Sequence, residues 1–267
     1  MTCLNSPARS CRRLFAVWAC LLGLFAVPAW SQAIRVAAAS DLKFALEEIA
    51  ARYKADTGHV VALTLGSSGT FATQIRNGAP FQLFLSADED FVSRLHADGF
   101  AKDEGVLYAI GRLALMAPKG SPLQVDAELK GLEAALKAGH ITRFAIANPE
   151  HAPYGRRAEE ALRHAQLWEL VKPRLVLGEN ISQAAQFTTS GSAQGGIIAL
   201  SLASAPQLAD LGRFAVIPAS WHAPLRQRMV RLKAADAATD DFYRYLQQPA
   251  ARTIMQRHGF TLPAEGE

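Results

Sequence analysis

Short apolar runs alternate with helical patterns along the chain after residue 33. Three of these runs have the length of buried strands, at residues 34–39, 60–65 and 82–85. Each run is followed by apolar residues at helical spacing, and a glycine stands near each expected helix end. Alternation of this kind predicts right-handed βαβ units and a parallel sheet that helices cover on both faces.

A second set of the same kind follows. Its expected strands are residues 143–147, 175–177 and 196–200, and its expected helices are 155–171 and two that begin near residues 180 and 201. The apolar run at 107–117 has no helix cap, so it predicts one long strand that crosses between the two sets. Strands at 214–218 and 229–232 lead back, and residues 240–259 predict one final helix.

Two sets joined by two crossings predict an α/β protein of two lobes, each a mostly parallel sheet flanked by helices. We expect lobe 1 to be discontinuous, at residues 34–115 plus 215–263, and lobe 2 to span 116–214. Sheets of this kind bind ligands outside the carboxyl ends of their strands. The cleft between the lobes is therefore the expected binding site.

Residues 1–33 have the pattern of a secretory signal peptide. Arg9, Arg12 and Arg13 precede an apolar stretch at 14–27, and small residues near Ala33 suit cleavage. The apolar stretch is short for a bilayer span, so an uncleaved anchor is the less favoured alternative. Cys20 raises a lipoprotein as another alternative, but no lipobox pattern precedes it. We expect a cleaved leader and an exported protein.

The leader contributes all of the cysteines and part of the positive charge of the chain, so the remaining chain differs in both. All three cysteines lie within it, so the rest of the chain must fold without disulfides around a large core. It carries three of the 28 basic residues and no acidic one, so the net charge falls from +4 to +1 without it. No basic tract remains, which excludes nucleic acid as an expected partner.

Four strand-to-helix corners share one chemistry. The first corner contains Ser40 and Asp41, the second Ser67 and Ser68, and the others span residues 148–155 and 178–182. A helix N-terminus has unpaired N–H groups and a partial positive charge, so several together would hold an anion without a lysine or arginine. Each corner alone is also explained by ordinary helix capping. Two corners in each lobe together favour an anion site.

Hydroxyl and N–H donors favour an oxyanion that carries no proton, because a protonated oxyanion also needs an acceptor. Asp41, in the first corner, could provide that acceptor. Its alternative role is to complement the dipole of the helix that it precedes. The residues alone leave both roles open.

Seven segments of the chain resemble the periplasmic molybdate-binding proteins of ABC transporters, in the order and spacing of that family. They are VAAASDL at 36–42, GTFATQI at 69–75, GAP at 78–80, LSAD at 85–88, ANPEHAPYG at 147–155, GENI at 178–181 and HGF at 258–260. The resemblance implies a type II periplasmic binding fold of two hinged lobes. It also implies molybdate or tungstate as ligand, no cofactor, a periplasmic location and an inner-membrane permease as partner. We expect the chain to act as a monomer.

The resemblance also implies which residues bind the anion. Ser40 and Ser68 match positions that give both a hydroxyl and a backbone N–H, whereas Tyr154 and Ile181 match positions that give a backbone N–H. Asp41 is a possible addition, and no side chain is expected to ligate molybdenum directly. Many members also place a tyrosine hydroxyl on the anion at the position of Ala199. Either the hydroxyl of Tyr154 replaces it, or this chain has one donor fewer.

Other functions fit the residues less well. A hydrolase needs a serine elbow, a histidine and a carboxylate, but GSSG at 66–69 is not Gly-x-Ser-x-Gly and the seven histidines are scattered. Of these, His151 stands in the third corner. A metal-cation binder needs a cluster of His, Tyr and carboxylate ligands, which the pattern lacks. The nearest alternatives are sulfate and a small organic anion, but Arg156 and Arg157 are expected to face solvent rather than to form a carboxylate fork.

Overall fold

The structure is a computed structural model that describes residues 33–263. The expected signal peptide, apart from Ala33, lies outside these residues, and so do the three cysteines. No helix within residues 33–263 is both long and apolar enough to cross a membrane.

Ten strands and eleven α-helices make up the described chain. The strands are β1 Ile34–Ala39, β2 Val61–Gly66, β3 Leu83–Ser86, β4 Val106–Gly111, β5 Leu113–Pro118, β6 Phe144–Ala147, β7 Leu175–Gly178, β8 Gly195–Ala199, β9 Gly212–Val216 and β10 Leu225–Arg231. The helices are α1 Lys43–Thr57, α2 Ser68–Arg76, α3 Glu89–Ala97, α4 Lys130–Lys137, α5 Pro153–His164, α6 Trp168–Val171, α7 Ile181–Thr189, α8 Leu200–Ala203, α9 Pro206–Ala209, α10 Ala237–Tyr245 and α11 Pro249–Arg257. Short 3₁₀ turns add Ser40–Leu42, Lys172–Arg174 and Ala219–Trp221.

The strands form two five-stranded sheets of matching design. The first sheet has the order β2-β1-β3-β10-β4, and the second has the order β7-β6-β8-β5-β9. In the first sheet β1 is parallel to β2 and β3, whereas β10 is antiparallel to β3 and β4. In the second sheet β6 is parallel to β7 and β8, whereas β5 is antiparallel to β8 and β9. Each sheet thus has four strands that run in one direction and one antiparallel strand, which is β10 in the first sheet and β5 in the second.

Three predicted elements are wrong in their continuity. The run 107–117 forms two strands, because β4 ends at Gly111 in the first sheet and β5 begins at Leu113 in the second. The run 155–171 is broken after α5, where Gln166 has a positive φ of 61°. The run 240–259 is broken at Gln248, which is extended before Pro249, the first residue of α11.

Buried apolar residues cover both faces of each sheet. On the first sheet, α1, α10 and α11 pack on one face around residues such as Leu46 and Phe242, and α2 and α3 pack on the other around Phe71 and Phe84. The core of the second sheet also includes Ala39, Ala87 and Leu225 from the first-sheet side. This packing brings the carboxyl ends of β1, β2 and β3 to the N-termini of α5 and α7.

Candidate functional site

A small cavity lies where these strand and helix ends meet. Its free space of about 190 Å³ includes space open to solvent, and only about 10 Å³ of it can hold the centre of a water molecule. The residues that line it are Ala39, Ser40, Asp41, Gly66, Ser67, Ser68, Ala87, Ala152, Pro153, Tyr154 and Ile181. All five candidate residues from the sequence are in this lining, and all five are buried. The structure therefore brings the four corners together at one place.

The corners form because local capping starts a helix at each one. The Ser67 hydroxyl accepts a hydrogen bond from the Thr70 N–H at 3.3 Å and caps α2. The Asn180 side chain accepts from the Gln183 N–H at 3.1 Å and caps α7. Ser68 and Ile181 are the first residues of these two helices, so their N–H groups have no acceptor within the helix. These N–H groups are available to a ligand.

The third helix starts differently. The N-cap of α5 is Ala152, which makes no side-chain capping bond, and Pro153 stands at the first helical position. Proline is favoured there because its missing N–H would be unpaired in any case. Tyr154 follows it in the first turn, so the geometry suits its assignment as a backbone donor.

The two candidate hydroxyls have different partners. The Ser68 hydroxyl oxygen accepts from the Ala87 N–H at 3.0 Å, and its proton has no acceptor within residues 33–263. The Ser40 hydroxyl donates to the Asn180 side-chain oxygen at 3.0 Å and accepts from the Ser182 N–H at 3.2 Å. Ser68 is thus free to donate into the cavity, whereas Ser40 is engaged with the opposite corner.

Asp41 is a buried carboxyl group in the cavity wall. Its Oδ2 accepts from the Tyr154 hydroxyl at 2.9 Å and from Gln227 Nε2 at 2.6 Å. Its Oδ1 has no hydrogen-bond partner within the described chain. Burial raises the pKa of Asp41 to about 6, against the opposing effect of the Gln227 and Tyr154 hydrogen bonds. The pKa of Tyr154 is also raised well above its usual value, chiefly by burial and then by the charge of Asp41.

Gln227 was missed by the sequence reasoning. It lies on β10, is fully buried, and accepts a hydrogen bond from the Tyr108 hydroxyl at 2.7 Å through its Oε1. One signal was present, because Gln227 alternates with Leu225 and Met229 and so shares their inward face of the strand. A glutamine in that register needs buried partners, and its partners here are Tyr108, Asp41 and Tyr154.

Several direct contacts close the cavity between the two sides. The Gly69 N–H donates to the His151 carbonyl at 3.0 Å, and the Ser182 hydroxyl donates to the Ser40 carbonyl at 2.8 Å. The Ser201 hydroxyl donates to the Asp41 carbonyl at 2.8 Å. A Cβ at position 69 would lie 2.6 Å from the His151 carbonyl oxygen, so this approach requires glycine.

Ser67, His151 and Glu179 have a superficial likeness to a catalytic triad. The Ser67 hydroxyl lies 3.0 Å from His151 Nδ1, and His151 Nε2 lies 3.4 Å from Glu179. However, the same hydroxyl caps α2 and lies 3.2 Å from the His151 carbonyl. Its lone pairs and proton are therefore used in helix capping and in contact between the two sides.

The expectation that Arg156 and Arg157 face solvent is wrong. Both guanidinium groups pair with Asp88 on the first-sheet side, and the Arg157 side chain is only 15% exposed. Neither arginine lines the cavity. The cavity lining thus contains no arginine fork for an organic carboxylate.

The structure also bears on the position of Ala199 and on the alternative of a metal-cation site. Ala199 ends β8, is fully buried, and does not line the cavity. Within residues 33–263, no group of three or more His, Cys, Asp or Glu side chains is placed to hold a metal ion. The site offers hydroxyl and backbone N–H donors around a single carboxyl group.

Two helix-covered sheets with a donor-rich cavity between them are typical of solute-binding proteins. The chain belongs to the bacterial extracellular solute-binding protein family, whose model matches residues 34–261. It is 35% identical over 247 residues to the molybdate-binding protein ModA of Azotobacter vinelandii, covering 90% of this chain and 94% of the relative. It is 36% identical over 245 residues to ModA of Rhodobacter capsulatus, covering 91% and 93%.

A solved structure agrees with these relatives. The periplasmic molybdate-binding protein of Azotobacter vinelandii superposes with a TM-score of 0.79 at 32% identity, over 86% of this chain and 99% of that one. This match confirms the predicted type II periplasmic binding fold. Family membership likewise confirms the expectation of a binding protein rather than an enzyme.

Proposed function

We propose that this protein captures molybdate at this cavity between the two sheets and delivers it to an ABC transporter. The observation that carries the proposal is the convergence of Ser40, Ser68, Tyr154 and Ile181 on one small cavity. The names of the two relatives that are 35% and 36% identical specify the ligand class. Tungstate, which has the same shape and charge, is expected to bind as well.

The donor set gives the physical reason for this ligand. A molybdate dianion presents oxygens without protons, and these accept from the Ser68 hydroxyl and from N–H groups at helix ends. Hydrogen phosphate must also donate a proton, and Asp41 is the single carboxyl group in the lining. Both donors to Asp41 already use its Oδ2, which leaves Oδ1 as the acceptor or, when protonated, as one more donor.

We assign roles to the site residues on the same basis. Ser68 donates through its hydroxyl and N–H, and Tyr154 and Ile181 donate through their N–H groups. Ser40 donates through its N–H, and its hydroxyl reaches the anion only by exchanging its bond to Asn180. Asp41 stands beside the anion and holds the Tyr154 hydroxyl.

The remaining parts of the transport function are proposals of the same kind. The chain passes between sheets at residue 112 and again between β9 and β10, which supports two lobes hinged at those crossings. We propose lobes at 34–115 plus 215–263 and at 116–214. We also propose a cleaved leader at residues 1–33, a monomer in the periplasm, and an inner-membrane ABC permease that receives the anion.

Isothermal titration of the ligand-stripped protein with molybdate, tungstate, sulfate and phosphate tests the proposal. Molybdate and tungstate should bind with micromolar or tighter affinity, and sulfate and phosphate far more weakly. Equal affinity for sulfate and molybdate would contradict the assignment. A heat signal with ferric iron or an amino acid, and none with these anions, would assign the protein to another ligand class.

The same titration of two matched variants tests the site. Ser68→Ala should weaken molybdate binding by roughly 1.5–3 kcal/mol, about ten- to hundredfold, because it removes a charge-assisted hydrogen bond. Thr73→Ala is the control, since Thr73 is exposed on the same helix and its hydroxyl donates to the Gly69 carbonyl within that helix. If the two variants bind molybdate equally well, the Ser68 hydroxyl does not contribute to anion binding.

A further inference from the structure

One carboxylate meets two guanidinium groups across the cleft, just outside the cavity. Asp88 Oδ2 lies 3.0 Å from Arg156 Nη2 and 3.7 Å from Arg157 Nη2. Asp88 is the N-cap of α3 on the first sheet, whereas both arginines belong to α5, which packs on the second. The Asp88 side chain is 9% exposed and that of Arg157 is 15% exposed, so these charges are largely shielded from water.

Each end of this ion pair is joined to a wall of the cavity. Asp88 directly follows Ala87, whose N–H donates to the Ser68 hydroxyl oxygen at 3.0 Å. Arg156 is two residues after Tyr154 in the first turns of α5. A force that holds Asp88 to the arginines therefore also holds the Tyr154 end of α5 against the Ser68 corner.

The neighbouring groups keep these side chains in place. Asp88 uses its other oxygen, Oδ1, to accept from the Asp90 N–H at 3.0 Å, which caps α3 and leaves Oδ2 to the arginines. The Arg156 guanidinium also lies 5.4 Å from the centroid of the Phe91 ring on α3. The adjacent acid, Glu89, is bound by Arg226 and Arg228 of β10 and so does not compete for the α5 arginines.

Arg157 extends the contact towards the second crossing between the sheets. Its guanidinium pairs with Glu160 on the same helix. Glu160 in turn accepts from the Ala223 N–H at 2.8 Å, in the segment that leads from the second sheet back to β10. Arg157 therefore links Asp88 to a segment that must move if the two sides separate.

We propose that Asp88, Arg156 and Arg157 form an ionic clamp across the cleft that slows release of the bound anion. Opening the cleft must separate these charges, whereas an anion that enters an open cleft meets them still apart. The clamp therefore acts on the dissociation rate more than on the association rate. The three are positioning residues that do not line the cavity, and the proposal rests on anion capture as the function.

Release of radiolabelled molybdate into an excess of unlabelled molybdate measures this effect. Arg156→Gln should release the anion about two- to fivefold faster, as for a partly exposed pair. The double variant, which combines Arg156→Gln with Arg157→Gln, should release the anion roughly tenfold faster, because it also loses the less exposed pair of Arg157 with Asp88. Association rates should change by less than about twofold. Added salt should speed release from the wild type more than from the double variant, because it screens the clamp.

Two further variants separate a clamp from a general structural effect. Arg163→Gln, on the same helix but paired with Glu159 of that helix, should release molybdate at the wild-type rate. Asp88→Asn keeps the cap of α3, since asparagine is an equally good N-cap, and should speed release as the double arginine variant does. Adding Asp88→Asn to the double variant should have little further effect. Unchanged release rates, or effects that simply add, would overturn the clamp.

Failure of the clamp and failure of the proposed function give different results. If the wild type binds none of molybdate, tungstate, sulfate and phosphate, the proposed function fails. Small-angle X-ray scattering of the ligand-free proteins at low salt then tests the clamp by itself. A larger radius of gyration for the double variant than for Arg163→Gln would support it, and equal radii would overturn it.

Discussion

The two sides of the cavity offer hydrogen bonds in different ways. The first-sheet side lines the cavity with Ser40 and Ser68, which carry hydroxyls as well as backbone N–H groups. The second-sheet side presents the first turns of α5 and α7, where Tyr154 and Ile181 can offer backbone N–H groups. A side that uses only its backbone leaves its side chains free for other contacts.

Tyr154 illustrates such a contact. Its ring is buried in the core of the second sheet, and its hydroxyl crosses to Asp41 on the first-sheet side. In the proposed site the second-sheet side recognises the ligand through its backbone, while the Tyr154 side chain connects it to the other side. Changing side chains there should alter closure, whereas removing an N–H there should alter recognition.

The largest expected effect concerns the carboxyl group that this contact buries. The folded protein holds a proton on Asp41 up to about pH 6, against a usual pKa of 3.8. Folded protein therefore binds more protons than unfolded chain in this window, so stability falls as pH rises from about 4 to about 6. Two pKa units correspond to roughly 3 kcal/mol.

Asp41→Asn keeps an acceptor for Tyr154 and Gln227 but carries no charge. It should therefore be more stable than the wild type above pH 6 by up to roughly 3 kcal/mol and lose this pH dependence. Urea unfolding of the ligand-free proteins at pH 4, 5, 6 and 8 measures both effects. Parallel stability curves for the two proteins would show that Asp41 is not buried in the ligand-free state.

The next effect tests the backbone side directly. Ile181 is the first residue of α7, and Asn180 before it is extended, so proline fits this position without breaking the helix. Ile181→Pro removes one N–H donor and should weaken molybdate binding by roughly 1.5–3 kcal/mol. Ile181→Val is the control, since it keeps the N–H with a side chain of similar size. Equal affinities for the two variants would mean that this N–H does not bind the anion.

The same contrast explains what the sequence could predict. The corners that contain Ser68, Tyr154 and Ile181 could be predicted because helix starts are local, and capping residues, a proline or a glycine mark them, whereas the choice of these residues within the corners came from the family resemblance. Asp88 and Gln227 were not found, because their partners lie 68 and 186 positions away and no local pattern encodes those contacts. The break at Arg112 was missed for a related reason. Both β4 and β5 are largely buried, so the apolar run continues although the chain changes sheets.

The smallest expected effect concerns the role of the Tyr154 hydroxyl. Tyr154→Phe keeps the N–H and the ring but removes one of the two donors to Asp41 Oδ2. It should weaken molybdate binding by roughly 0.5–1.5 kcal/mol, through closure rather than by direct contact. Titration calorimetry measures this cost, which should be smaller in an Asp41→Asn background because a neutral acceptor forms a weaker hydrogen bond.

Ala199→Tyr completes the comparison, because it restores the tyrosine that many relatives have. Ala199 is fully buried at the end of β8, so a tyrosine there must displace its neighbours and should weaken binding. The opposite pair of results, no effect of Tyr154→Phe and tighter binding by Ala199→Tyr, would show that the Tyr154 hydroxyl contributes nothing and that the chain simply lacks a donor. A cost of Tyr154→Phe that is unchanged in the Asp41→Asn background would instead place the hydroxyl on the anion itself.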